Sequence, residues 1–341
     1  MNETGTIRKG TTIGAAAAAV LLLAALEFVW GSGTSLLVVL TFWMSLAEGS
    51  IALVAAGELC NAKWIQPVKR RLLCVYPLML IGALVFLLIL LKLSIYPWVG
   101  DGNRWLQENF FVARNVVLLA LAFLTARSFA ASSLKRAGNT KKLAVIYLFV
   151  FVASQSLIAF DWIMSLVYPW VSTLFGGYFF VEAIYAGIAL SVLYILRAGV
   201  PAAVPVRSLR DAATVLFGFS LLWAGLFYAQ FLVIWYGNLP DERGFVFKRI
   251  YEAPYSVVAR IVLLAVFVIP FITLLSRRTK ANRVVTGALA LMILAGMLLE
   301  KLLFIHPAVP VPPFPTIVEF LCMGAVFVLA GRGVVVEAPK D

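Results

Sequence analysis

The chain has 341 residues, of which 63% are hydrophobic and only 13% charged, and its formal net charge is +12. A soluble globular domain carries about twice that charged fraction, and the mean hydropathy here is +0.99, so a soluble domain is excluded and a polytopic membrane protein indicated. The basic excess falls in alternate connections between apolar runs, which accounts for it through topology and leaves a nucleic-acid role without support.

A helix needs about 20 mostly apolar residues to cross a bilayer. Ten such runs can be read, at roughly 11–30, 34–58, 72–96, 110–130, 142–167, 172–196, 211–236, 254–275, 284–304 and 314–332. They predict one all-α integral membrane domain over 1–341 with no room for a separate soluble domain. The first run has no A-x-A-like cleavage site near its end, so it is read as a helix and not as a removed signal peptide. Basic residues cluster before run 1 (Arg8, Lys9) and after runs 2 (Lys63, Lys69, Arg70, Arg71), 4 (Arg127, Lys135, Arg136, Lys141, Lys142), 6 (Arg197, Arg207, Arg210), 8 (Arg277, Arg278, Lys280, Arg283) and 10 (Arg332, Lys340). Most of the 28 Lys and Arg thus lie on one side, and the positive-inside rule places both termini in the cytoplasm.

Polar groups inside the runs are the candidates for function, because each is costly against hydrocarbon. Run 1 carries Glu27 near its outer end. In run 2, Thr41, Ser45 and Glu48 share a face, and mid-span Glu48 reads either as a hydrogen-bonded packing group or as part of a proton path; Glu58 sits at the cytoplasmic end within reach of solvent. Run 3 comes after the Lys69-Arg70-Arg71 anchor, includes Pro77 near its start, and closes on Lys92 and Tyr96-Pro97-Trp98, a triplet repeated at Tyr168-Pro169-Trp170. The next loop holds Asp101, Arg104 and Glu108. Run 4 opens with Arg114, placed either to snorkel or to pair with a carboxylate such as Asp161. Run 5 presents Ser154, Asp161 and Ser165 as a polar stripe, and run 6 presents Tyr178, Glu182 and Tyr185 on one face.

Glu182 lies about 15 Å inside its span at 1.5 Å per residue; a proton relay, structural hydrogen bonding and ligand binding all remain open for it. Run 7 places Gln230 above Phe227 and Trp223, ahead of the aromatic corner Trp235-Tyr236-Gly237-Asn238-Leu239-Pro240 and Asp241 and Glu242. That corner and Tyr168-Pro169-Trp170 are expected on the same side of the membrane. The connection after run 7, with Arg243, Lys248, Arg249 and Glu252, is the longest on the outside, and reads as a docking loop for a periplasmic partner or as a solvated loop. Arg260, Glu300, Lys301 and Glu319 fall in outer halves, where opposite charges should pair across helices. His306 stands in a stiff Pro-rich connection as a surface residue.

Redox chemistry is limited by what is missing. Cys60, Cys74 and Cys322 stand apart, and His306 is the one histidine. A bis-histidine haem cannot be built from this chain alone, and neither an iron-sulfur nor a zinc ligand set is evident.

The runs FDWIMSLVYPWVSTLFGGYFF (160–180) and QFLVIWYGNLPDE (230–242) resemble the F-type membrane subunit of alternative complex III, a bacterial quinol:cytochrome c oxidoreductase, within the wider polysulfide-reductase membrane-subunit (NrfD-like) family. The resemblance implies two four-helix bundles flanked by two peripheral helices in the bacterial inner membrane, beside a paralogous C-type membrane subunit. It also implies partner subunits on the periplasmic side that hold haem c and iron-sulfur clusters, with quinone or quinol bound in the complex and no cofactor or metal held by this chain. In the C-type paralogues a His precedes the Asp by six residues; here Asp161 is kept and Gln155 takes the earlier position. That departure favours the partner as the site of quinol oxidation. It leaves Glu48, Asp161, Glu182 and Glu27 for a proton path or structural pairing, and Gln155, Trp162, Tyr178 and Gln230, with Phe179, for a second quinone pocket or structural polar contacts. Two other readings stand beside this one: a self-sufficient secondary transporter, suggested by midplane polar groups, for which Gly176 and Gly177 lie near an end and Pro270 has no counterpart; and a purely structural anchor.

Overall fold

The computed structural model describes residues 18, 20–29, 33–100, 104–197, 206–237 and 240–333. Arg8, Lys9, Asp101, Asn238, Leu239 and Lys340 lie outside the described residues, as do the side chains of Asp241, Glu242 and Arg332. Every regular element among the described residues is helical. They run α1 (Val20–Val29), α2 (Thr34–Leu59), α3 (Gln66–Leu73), α4 (Pro77–Leu90), α5 (Glu108–Leu134), α6 (Thr140–Leu157), α7 (Leu174–Arg197), α8 (Val206–Gly237), α9 (Pro240–Ile250), α10 (Tyr255–Leu263), α11 (Ile269–Leu274), α12 (Arg277–Ala281), α13 (Arg283–Ile305) and α14 (Pro313–Gly333).

Seven of the described helical segments are long and apolar enough to cross a membrane, and there is an eighth if α3 and α4, bent by 45° at their junction, form one broken span. The sequence predicts ten. Run 3 is interrupted because Pro77 supplies no amide to a preceding turn and instead starts α4, which ends at Leu90 before a 3₁₀ turn at Leu93–Ile95. Among the described residues, runs 1 and 10 contain the shorter apolar helices Val20–Val29 and Pro313–Leu329. The connection after run 7 is not a loop: Pro240 occupies the first position of a helix, where its missing N–H costs nothing, and α9 buries Phe245 and Arg249, one turn apart.

The fifth run is also not a plain helix. Beyond α6 it widens into a π turn at Ile158–Ile163 and tightens into a 3₁₀ turn at Met164–Val167. A second π turn, Leu264–Val268, joins α10 to α11. At the far end of run 5, Trp170 stacks on Phe245 of α9 with centroids 3.7 Å apart.

α2 is the centre. Its side chains are buried from Thr34 to Ala55, and it packs against α4, α6, α7, α13 and α14. α5, α6, α8 and α11 leave Leu121, Phe149, Val233 and Ile272 exposed, the apolar exterior a lipid-facing helix needs. The tightest approach is between α2 and α7. A Cβ on Gly49 would sit 1.8 Å from the carbonyl oxygen of Ala183, and one on Gly187 would sit 2.7 Å from the carbonyl oxygen of Gly49. Ala183 and Gly187 are one turn apart, the small-residue spacing that lets two helix backbones touch in a bilayer.

Gly49→Ala therefore forces a methyl group into a carbonyl that cannot rotate away. Overpacking costs about 1–3 kcal/mol in ordinary cores, and thermal melts of the detergent-solubilised protein should show G49A clearly destabilised. Gly218→Ala, with nothing within 4 Å of the added methyl, should melt at or above the wild-type temperature.

Candidate functional site

The first network centres on Glu48, fully buried on α2. Ser154 Oγ donates to Glu48 Oε1 at 2.9 Å, Gln155 Nε2 donates to Glu48 Oε2 at 2.9 Å, and Ser45 Oγ donates to Gln155 Oε1 at 3.2 Å. Tyr147 donates to the Glu48 backbone carbonyl at 2.9 Å. All of these donors are neutral. Thr41, expected on the same face, instead returns its hydroxyl to the Leu37 carbonyl at 2.6 Å, the usual local solution for a helical threonine.

Asp161 lies in the π turn, also fully buried, and the Arg114 guanidinium clamps it from both sides, Nε to Oδ2 at 2.7 Å and Nη2 to Oδ1 at 2.8 Å. Asn115 Nδ2 adds a bond to Oδ2 at 2.6 Å and its Oδ1 accepts from Trp162 Nε1 at 2.8 Å. Arg114 also donates to the Trp105 carbonyl and lies 4.3 Å from the centroid of the Trp105 ring. Trp162 stacks on Phe86 at 4.5 Å, and its carbonyl accepts from Tyr96 at 3.3 Å. Trp162 is thus held within the core by Phe86, Asn115 and Tyr96. Ser154 and Asp161, predicted as one stripe, serve two separate networks.

The third network joins α7 and α13. Lys301 Nζ binds Glu182 Oε2 at 2.5 Å and sits 3.8 Å from the Phe179 ring centroid. Tyr178 donates its hydroxyl to Glu300 Oε1, and its ring lies 5.9 Å from Trp223. Tyr185 points elsewhere, donating to the Val266 carbonyl at 2.9 Å in the second π turn. Gln230, on α8, is bonded to none of these groups. At the molecule's edge Glu27 accepts from the Gly33 amide, where the backbone turns through φ 71°, and faces Glu319 and Lys92.

At one end α9 straps the fold. Arg249 donates to the carbonyls of Leu303 at 3.1 Å, Phe304 at 2.6 Å and Phe245 at 2.8 Å, so its charge caps the carboxyl end of α13. Burial lowers the Arg249 pKa to about 9, which leaves the guanidinium charged at neutral pH. Lys248 adds a bond to the Pro307 carbonyl at 2.5 Å. His306 is exposed, 3.1 Å from the Tyr255 hydroxyl. Among the described residues, no three His, Cys, Asp or Glu side chains gather as metal ligands would.

Of the residues singled out by sequence, the fold brings Gln155 to Glu48, Trp162 to the Asp161 network, and Tyr178 to the neighbourhood of Glu182. Sequence reasoning missed Asn115, which holds Asp161 and Trp162 together; its position beside Arg114 was the available signal. Searches of family models and of curated proteins give no match to this chain.

Chemically these carboxyls differ in their partners. Asp161 and Glu182 each touch a cation. Glu48 is held by neutral donors alone, and a change in its protonation breaks no ion pair.

Removing one partner of a buried pair leaves an uncompensated charge and costs about 3–5 kcal/mol. Asp161→Asn or Arg114→Met alone should therefore lower thermal stability strongly, while the double variant should lose less than the sum of the two. A double-mutant cycle by melting temperature measures that coupling.

Proposed function

We propose that this chain is a cofactor-free membrane subunit of a respiratory quinol-oxidising complex, in which it supports assembly and offers buried carboxyls to protons. In that role α2, α4, α5 and α6 form one four-helix group and α7, α8, α10–α11 and α13 a second, with α1 and α14 as flanking crossings and both termini in the cytoplasm. The pattern of neighbours supports the grouping: α4 packs on α5, α5 on α6 and α6 on α2, while α7 packs on α8 and α13, and α13 on α10.

The observation that carries the reading is the use made of Gln155 and Asp161. A quinol-oxidising site needs a base for the hydroxyl proton, for which a histidine–carboxylate dyad is suited. Here Gln155 turns to Glu48 and Asp161 turns to Arg114, in two separate networks. Neither is left to deprotonate a quinol, so the electron-donating step belongs to a paralogous membrane subunit, and the haem c and iron-sulfur centres to periplasmic partners. The exposed aromatic rings at the α8–α9 end, Trp235, Tyr236, Phe247 and Tyr251, are the surface on which such partners would sit.

One observation favours the transporter reading: the π turns at Ile158–Ile163 and Leu264–Val268 interrupt one span in each half of the chain, as broken helices do in transporters. Their freed polar groups are nevertheless taken up within the protein. The Asp161 carbonyl accepts from Ser165 and the Val266 carbonyl from Tyr185, so these carbonyls are not offered to a substrate.

Purification of the tagged chain from its native membrane in mild detergent tests the proposal. Haem-containing and iron-sulfur subunits should co-purify with a second polytopic protein; recovery of the chain alone, with substrate uptake in liposomes, would favour the transporter. In the assembled complex, Glu48→Gln should keep the partners bound while slowing quinol:cytochrome c turnover by about tenfold or more.

A further inference from the structure

The cluster between α7 and α13 holds more acid than base. Glu300 is 2% exposed, and its Oε1 accepts from the Tyr178 hydroxyl while its Oε2 receives no donor. The charged or titratable groups that bear on it are Glu182, Lys301 and Tyr178: Glu300 adjoins Lys301, the partner of Glu182, and is bonded by Tyr178, one turn before Glu182 on α7. Lys301, 1% exposed, is already engaged by Glu182 at 2.5 Å and by the face of the Phe179 ring at 3.8 Å.

Two carboxyls and one ammonium cannot all be ionised here without leaving a net negative charge out of reach of water. An ionised carboxylate only accepts hydrogen bonds. Two of them crowded around one ammonium repel unless one of them is protonated, as in carboxyl pairs that share one proton. Of the two, Glu182 has the cation and Glu300 has the tyrosine hydroxyl and an oxygen without a donor.

We propose that Glu300 carries a proton, so that Glu182, Glu300 and Lys301 form a neutral triad storing one exchangeable proton beside α7 and α13. This deepens the proton-handling part of the function proposed above and moves the exchanging group from Glu182, the residue the sequence singles out, to its neighbour on α13. Tyr178 is a positioning residue: one turn before Glu182 on α7, it fixes Glu300 through Oε1 and leaves the other oxygen for the proton.

Infrared spectroscopy of the purified protein in H2O and D2O tests this directly. Wild type should show a protonated-carboxyl carbonyl band that shifts in D2O and is lost in Glu300→Gln. Tyr178→Phe should keep that band but move it, since one hydrogen bond to the carboxyl is gone. Glu300→Gln, a neutral isostere of a neutral acid, should melt near the wild-type temperature, whereas Glu182→Gln strands Lys301 and should melt well below it. Protonated-carboxyl bands unchanged in both E300Q and Y178F overturn the proposal, and so does an E300Q protein that is destabilised as much as E182Q or fails to accumulate. Because no partner subunit enters these measurements, an unchanged spectrum alongside co-purified haem proteins removes only the triad, and a lone chain with the expected spectrum removes only the respiratory reading.

Discussion

The fold depends on one contact, the place where α2 and α7 press backbone against backbone. Gly49 leaves no room for a side chain against the Ala183 carbonyl, and Gly187 leaves little against Gly49. In lipid there is no hydrophobic gain from bringing two helices together, so association rests on close packing and polar bonds. That contact also explains where the acids go. Glu48 is the residue before Gly49 and Glu182 the residue before Ala183, and successive residues on a helix point about 100° apart. With the glycine and alanine facing each other, each glutamate is turned to the flank of the crossing. Glu48 meets Ser154 and Gln155 of the fifth run, and Glu182 meets Lys301 of α13. A single crossing thus directs one carboxyl toward the fifth run and the other toward α13.

The π turns play a complementary part. A turn widened by one residue rotates the rest of the helix beyond it and frees a carbonyl from the helix ladder. In the fifth run this separates Ser154 and Gln155, which face α2, from Asp161, which faces Arg114 and Asn115 on α5. Near the middle of the span from Tyr255 to Leu274 it exposes the Val266 carbonyl to Tyr185, while Gly296 of α13 comes so close that an added Cβ would be 2.7 Å from the Val266 side chain. Irregular backbone is tolerated at membrane depth only where protein satisfies it, and both turns meet that condition through a hydroxyl donor.

Much of this was legible in the sequence because composition and run length are enforced by the bilayer itself. Apolar runs had to become helices, and Arg114 could be matched to Asp161 because few charges of opposite sign lie at comparable depth. The hidden features depended on contacts between distant segments. Gln155 and Glu48 are 107 residues apart, and no spacing rule links them. Thr41 and Tyr185 have the right helical spacing for their expected faces, yet bond to a backbone carbonyl on their own helix and on another span respectively. The bend at Pro77 was announced by a proline, but its effect on span length was not, because a run of apolar residues looks the same whether straight or broken. α9 was hidden for a related reason: its charges read as a solvated loop, and only the buried face formed by Phe245 and Arg249 shows why it is a helix.

Four of the buried carboxyls, Asp161, Glu48, Glu182 and Glu300, show three distinct ways of tolerating an acid in a low-dielectric interior, and the differences bear on function. Asp161 receives a planar guanidinium with two parallel bonds, the arrangement with the greatest geometric specificity, and its network ends in packed aromatic rings. Such a site is rigid and has no reason to change charge. Glu48 receives amide and hydroxyl donors, which serve a carboxylate and can turn to serve a carboxylic acid, since a hydroxyl rotates and an amide presents both donor and acceptor. Between α7 and α13 one lysine serves two acids, so charge balance itself calls for a proton. Proton handling is therefore expected where the supply of cations falls short of the acids, at Glu48 and at the Glu182–Glu300 pair, and not at Asp161, where cation and acid are matched one to one. On this view the count of opposite charges around each acid, more than the presence of the acid, separates a structural carboxylate from a working one.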